Sequence, residues 1–251
     1  MTIAALGGIR AVIVSDTLEP CPYIDGQTSR LPLRMAIDPV TPEAFDRFLD
    51  EGDRRFGPFF YRTTCPSCRA CEPIRVPVAR FGPSRSQRRA WRRNADVAVS
   101  VVRPTVTTRH LEIYNRHQFE RGLARSTEET TLEEYATHLM QTCVETREVR
   151  YEVEGRLIAF SILDFAKGSA SSVYHAFDPD ESARSLGVFS VLKEIEICAA
   201  RGLDWYYLGL YVGACKSLAY KAAYYPHERR IDGEWRAFPS SPISPISIAG
   251  A

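Results

Sequence analysis

Two alternating runs rich in β-branched and aromatic residues, 149–153 and 157–165, meet at Glu154-Gly155, a pair suited to reversing the chain, and this constrains the fold more than any other feature. They predict an antiparallel hairpin. A third such run at 171–177 passes through Asp178-Pro179-Asp180 into an amphipathic stretch from about 187 to 200, predicted helical, and a buried strand is expected at 205–212, with a short helix around 216–223. The second half is therefore read as strand, strand, strand, helix, strand, helix.

That order is the one found in acyltransferases built like the N-acetyltransferases, and it predicts an α/β (α+β) chain with such a domain over 105–238. The first part, 1–104, reads as a cysteine-containing α+β module. It has an apolar stretch at 9–14, a helix over 41–52 with Pro42 near its first position, and strands at 59–61 and 74–78 around a cysteine knuckle. A basic helix and a strand at 97–102 follow, and helices at about 107–121 and 131–143 lead into the second part. The tail 239–251 lacks the bulk to pack and is expected to be disordered. With 251 residues, 45% of them hydrophobic, the chain can bury a substantial core. No segment reaches the roughly 18 apolar residues of a membrane span, and a cytoplasmic monomer without membrane contact is expected.

The formal charge of +1 excludes a protein coated in positive charge, so any nucleic-acid contact must be local. One segment provides it. Between residues 80 and 93 there are six arginines, with no acid between Glu72 and Asp96. On a helix Arg85, Arg88, Arg89, Arg92 and Arg93 recur at i, i+3, i+4, i+7 and i+8 and form one stripe, which predicts a face for RNA phosphates.

Cys65, Cys68 and Cys71 lie three apart in a tight turn, with Cys21 upstream as a candidate fourth ligand. A thiolate set of this kind suits zinc or an iron–sulfur cluster, and unliganded thiols are the alternative. Further on, the loop Arg184-Ser185-Leu186-Gly187 before a helix would present free backbone N–H groups to a phosphate. In N-acetyltransferases such a loop holds the pyrophosphate of coenzyme A. Phe189 stands where a small residue is usual there, and its bulk is expected to exclude that cofactor. Beyond the next strand, Lys216, Tyr220 and Lys221 follow a glycine turn and could shape a pocket for a charged peptide end.

Taken in order, these segments resemble the arginyl-tRNA–protein transferase family, including its bacterial aspartate/glutamate leucyltransferase branch. The likeness runs from Cys21 to about Trp235. It rests on C-P-Y, D-E-G-D-R-R-F-G-P, C-P-S-C-R-A-C-E-P-I-R-V-P-V, F-G-P-S-R-S-Q-R-R, V-Y-H-A-F-D-P-D, R-S-L-G and A-Y-K-A-A-Y-Y-P. The resemblance implies transfer of an amino acid from charged tRNA to the N-terminal Asp or Glu of a target protein, marking it for degradation. Three places depart from the pattern: Asp25-Gly26-Gln27 for P-G-R, Ser217-Leu218 for Lys-Met, and Tyr225 for Arg. The donor is thereby left open between arginine and leucine.

An aminoacyl ester is already activated, so transfer requires no cofactor and no covalent nucleophile. Within this reading Asp178 or His175 is the candidate base, and Tyr174 the candidate hydrogen-bond donor to the developing oxyanion or the terminal ribose. Gly187 and the arginine stripe hold the tRNA, while Arg75, Lys216 and Lys221 are the candidate cations for the acceptor carboxylate, with Tyr220 beside them. A coenzyme A-dependent N-acetyltransferase and a non-enzymatic metal-knuckle RNA-binding module are the rival expectations.

Overall fold

The computed structural model describes residues 2–124 and 126–239, so the expected tail lies, from 240 on, outside the described residues. Strands β1 (Thr2–Leu6), β2 (Ile9–Ser15), β3 (Leu18–Pro20), β4 (Thr28–Arg30) and β5 (Leu33–Ala36) precede helix α1 (Pro42–Asp50). Then come β6 (Arg54–Phe56), β7 (Phe59–Tyr61), β8 (Glu72–Pro77), α2 (Arg85–Arg93), β9 (Ala98–Val102), α3 (Thr108–Glu120) and α4 (Leu132–Tyr135). The rest is β10 (Glu145–Val153), β11 (Arg156–Phe165), β12 (Ser169–Phe177), α5 (Leu186–Ala200), β13 (Trp205–Tyr211), α6 (Lys216–Ala219), β14 (His227–Ile231) and β15 (Glu234–Phe238).

The hairpin that constrained the sequence reading forms as β10 and β11, turning on Glu154 at φ 51° and Gly155 at φ 77°, the left-handed pair a tight two-residue turn requires. It lies in an eight-stranded sheet of order β15-β14-β8-β13-β12-β11-β10-β9. Every neighbouring pair is antiparallel except β12 and β13, which the α5 crossover makes parallel. β8 is interior to this sheet and β9 forms its edge, so the expected boundary at 104 coincides with no break in it. A second sheet, β1-β2-β5-β7-β6, packs with α1 through Phe45, Phe48 and Phe60. Helix α5 packs its buried face, Leu186, Phe189, Leu192 and Ile195, into one core with Val149, Tyr151 and Phe177, while α3 and α4 build another around Ile113, Tyr135, Phe160 and Ile162. The two sheets are joined by Arg55, whose guanidinium donates to both oxygens of the fully buried Asp164 at 2.5 and 3.0 Å. Among the described residues no helix is long and apolar enough to cross a membrane.

Strands β1, β3, β4, β5 and β6 carry no expectation from the sequence, and two further regions differ from the reading. The helix expected over 131–143 keeps its capping box, Thr131 with Glu134, but becomes a π turn at Ala136–Met140. The carbonyls near its end are taken by Gly57 N–H (3.1 Å, from His138 O) and by Arg55 (3.1 Å, from Gln141 O) rather than by another helical turn. The β14–β15 hairpin was not anticipated. It turns on Asp232-Gly233, at φ 52° and 88°, a signal present in the sequence.

Candidate active site

The parallel pair β12 and β13 is bonded only at Ser169↔Trp205, Ala170↔Tyr206 and Ser171↔Tyr207. Beyond that register β12 continues to Phe177 and β13 to Tyr211 unpaired with each other, and the sheet splays. An irregularity in β13 against β8 between Tyr207 and Gly209 accentuates the divergence, with Gly209 at φ 101°. Strand edges that diverge leave backbone polar groups unpaired by the sheet, and this makes the splay a candidate for the mouth of a site.

Two cations converge there. Arg54, from β6, donates through Nη2 to the Ser172 carbonyl at 2.7 Å. A Cβ on Gly209 would lie 2.8 Å from Lys221 Nζ and 3.3 Å from each terminal nitrogen of Arg54. Only glycine leaves room for both side chains to lean over the strand. Burial and the neighbouring Arg54 charge push the Lys221 ammonium down to about 7. Among the described residues no carboxylate forms an ion pair with either cation.

Deeper in the core, Tyr206 donates to the buried Glu194 at 2.6 Å, and burial holds that carboxyl above the usual range. Ser161 links this region to His175 through a 3.0 Å bond at Nδ1. The Nε2 of His175 has no partner among the described residues, and burial lowers the imidazole to about 3. A ring so reluctant to take a proton is a weak base. Tyr174, next to it on the strand, points to the opposite face, where it meets Tyr114 and accepts from Gln118 Nε2 at 2.6 Å. The strand's two-residue period thus separates Tyr174 from His175.

Asp178 is placed for a different task from the one expected of it. It is buried and its carboxylate receives Arg109, Arg116 (2.7 Å) and Arg156 (3.1 Å), and accepts the Asp180 N–H at 3.2 Å. These partners hold its pKa below the usual carboxylate range, against the opposing effect of burial. It caps the turn Pro179–Arg184 and ties α3 to the end of β12, and the expectation of a general base is corrected accordingly.

On α2 the Ser84–Gln87 capping box starts the helix, and Gln87 and Ala90 face inward. Arg85, Arg88, Arg89, Arg92 and Arg93 are all exposed, and among the described residues none of them is ion-paired. Inner-face contacts anchor the helix: Gln87 donates to Ala223 O at 3.3 Å, beside Lys221, and Trp91 meets Phe189 edge-on at 5.8 Å. Arg93 reaches Ala183 O at 2.6 Å and Ser185 Oγ at 3.3 Å, bringing the stripe to the loop before α5. There Ser185 adopts a left-handed conformation with no side-chain cap, and among the described residues no atom beyond its chain neighbours and its own helix backbone lies within 4 Å of the place a Cβ on Gly187 would occupy. Phe189 does not crowd that loop. It is 1% exposed, turned into the core against Trp91 and Tyr151, so the expectation that it excludes coenzyme A loses its basis.

Arg75 is also corrected. Its guanidinium is sandwiched between Trp205 and Trp235, 3.9 and 4.0 Å from the ring centroids, and paired with Asp50 and Glu228 at 2.8 Å each. A cation so occupied has no free edge for a carboxylate. Lys216 is exposed at the start of α6, and Tyr220 lies partly exposed one residue before Lys221. Arg54 was missed, although it stands in the quoted segment D-E-G-D-R-R-F-G-P; nothing in that segment says which arginine of the pair turns inward to Asp164 and which faces the splay.

Burial, followed by Cys65, Cys21, Cys68 and, from the other end of the chain, Cys215, pushes the Cys71 thiol up to about 12. Yet among the described residues no group of three or more His, Cys, Asp or Glu side chains has the arrangement of a metal site, so the expected ligation by Cys21, Cys65, Cys68 and Cys71 is not supported by the geometry.

These features belong to an enzyme of the transferase class. Residues 19–89 match the family model described as arginine-tRNA-protein transferase, N terminus, and residues 109–231 match the C terminus of the same family. The chain belongs to that family. It is 32% identical over 220 residues to the aspartate/glutamate leucyltransferase of Methylobacillus flagellatus, covering 88% of this chain and 89% of that one. With the protein of the same name from Acinetobacter baylyi it shares 36% over 218 residues, 86% of this chain and 80% of the other. Among solved structures, a lysylphosphatidylglycerol synthase from Bacillus licheniformis aligns over 78% of this chain and 69% of its own with a TM-score of 0.45 and 12% identity. FemX aligns over 80% and 78% at 0.43 and 9%.

Proposed function

We propose that the protein transfers leucine from charged tRNA to the N-terminal Asp or Glu of other proteins in the cytoplasm, marking them for degradation. The observation that carries this reading is the unpaired arginine stripe, anchored at one end to the α5 loop and along its inner face to the turn that bears Lys221. Phosphates held on α2 would bring the 3′ end of the tRNA to the splay between β12 and β13. The names of the relatives at 30–36% identity support leucine as donor and acidic residues as acceptors. An arginine donor is the alternative that the family description keeps open.

In this reading the acceptor α-amine, with a pKa near 8, loses its proton to water and attacks the ester carbonyl. The new C–N bond forms, the ester C–O bond breaks, and the ribose oxygen leaves and is protonated. Positioning supplies most of the rate enhancement. His175 would line the wall of the site as a neutral imidazole.

The test is transfer of labelled leucine and arginine from their tRNAs to peptides beginning with Asp, Glu or Ala. Leucine on the two acidic peptides is the expected product. Labelling of the Ala peptide to an equal extent, or of none of the three, would refute the reading.

A further inference from the structure

Arg54 and Lys221 are the only cations so far described that are aimed at one point without a carboxylate partner among the described residues. Their surroundings limit what can fill that point. Lys221 Nζ and the terminal nitrogens of Arg54 stand 2.8 and 3.3 Å from the place where even a methyl group on Gly209 would sit. Arg54 is fixed in direction by its bond to Ser172 O at 2.7 Å, and Gly209 at φ 101° keeps the opposing strand bare. The room beside Gly209 is thus taken up by the two cationic head groups themselves, side by side. A guanidinium beside an ammonium matches a carboxylate, one oxygen to each or both to the guanidinium fork.

We propose that Arg54 and Lys221 form the subsite that reads the side-chain carboxylate of the acceptor's N-terminal residue, with Gly209 leaving room for the two head groups to lie side by side. The assignment rests on the transferase reading above. It explains why Arg54 and Arg55, adjacent on one short strand, have separate duties: Arg55 locks the two sheets through Asp164, and Arg54 faces the substrate. It also gives Lys221 a reason to be held without a partner. A cation enclosed and crowded by another cation is strained until an anion arrives, so an acidic side chain is preferred over its neutral amide by more than shape.

The experiment compares peptides beginning with Asp and with Asn, which differ by one charge at nearly constant shape, in the full-length enzyme and in Arg54→Gln and Arg54→Lys. Expected is a rise in KM for the Asp peptide of at least about tenfold in Arg54→Gln, from loss of a charged hydrogen bond. The preference for Asp over Asn should collapse by the same factor, KM for the charged tRNA should be unchanged, and Arg54→Lys should restore part of the preference. A purely structural Arg54 would alter both peptides equally, and that result overturns the proposal. So does a rise in KM for the tRNA with the Asp preference intact, which would assign the cations to the 3′ end of the RNA. If the unaltered enzyme transfers to no peptide from any charged tRNA, the transferase reading itself has failed, and the subsite falls with it.

Discussion

Two arginine-rich regions meet at the loop before α5, and they are built in opposite ways. Around Asp178, Arg109, Arg116 and Arg156 converge on one carboxylate, while Arg184 next door is paired with Asp96 and Glu181. On α2 five arginines share a face, and among the described residues no acid forms an ion pair with them. The first region is internally neutralised and does mechanical work, joining α3 to β12. The second leaves its charge exposed, and in the proposed function that charge holds tRNA phosphates. The number of arginines is therefore a poor guide to an anion site, and what matters is whether the protein already supplies the counter-charge.

The sharpest way to break this comparison is to reverse charge on the open stripe. Arg88→Glu with Arg89→Glu is expected to weaken tRNA binding on the order of 100-fold near 0.1 M salt, and to lower the slope of log affinity against log salt by about two. Filter binding across a salt series measures both, and an unchanged slope would mean that α2 does not touch phosphate. The closed region should respond in stability instead. Asp178→Asn is expected to cost about 2 kcal/mol, below the usual cost of breaking a buried pair because its arginines are partly exposed. That corresponds to a melting temperature lower by roughly 4–8 °C. A large fall in kcat with an unchanged melting temperature would instead restore Asp178 as a catalytic group.

A smaller effect should appear with pH. Lys221, lowered to about 7 by burial and by Arg54, against the weaker upward pull of Cys215, is charged below that value and loses its proton above it. An acidic acceptor is favoured by the charged form. The ratio of kcat/KM for Asp over Asn peptides, in which the titration of the α-amine cancels, should therefore fall roughly fivefold to tenfold between pH 6.5 and 8. A ratio independent of pH would show that Lys221 does not face the side chain. The smallest effect is expected at Arg75. Replacing it with Met removes a cation held between two indoles and should cost about 1 kcal/mol in urea unfolding, with the Asp over Asn preference retained.

Much of the frame was legible. The Glu154-Gly155 turn, the helix that starts with Pro42 near its first position and the helical Arg stripe all depend on local chemistry, and each appears where the residues predict it. The β14–β15 hairpin carried an equally local signal in Asp232-Gly233 that the reading passed over. The site was less legible because its assignments depend on partners distant in sequence. Arg75 is occupied by Asp50, Trp205, Glu228 and Trp235, and Asp178 by arginines 22 to 69 residues away. Arg54 and Lys221 are brought together only by the packing of the small sheet on the large one. Phe189 was misjudged for a similar reason: its position in the loop pattern was readable, but its direction was set by Trp91 and Tyr151.

In the proposed function tRNA and acceptor are held by two separately built sets of cations, neither of them ion-paired among the described residues. The most direct test measures KM for both substrates in Arg88→Glu/Arg89→Glu and in Arg54→Gln. A crossed result is expected, with KM for the charged tRNA raised only in the first and KM for the Asp peptide raised only in the second. Both constants rising together in either variant would contradict it.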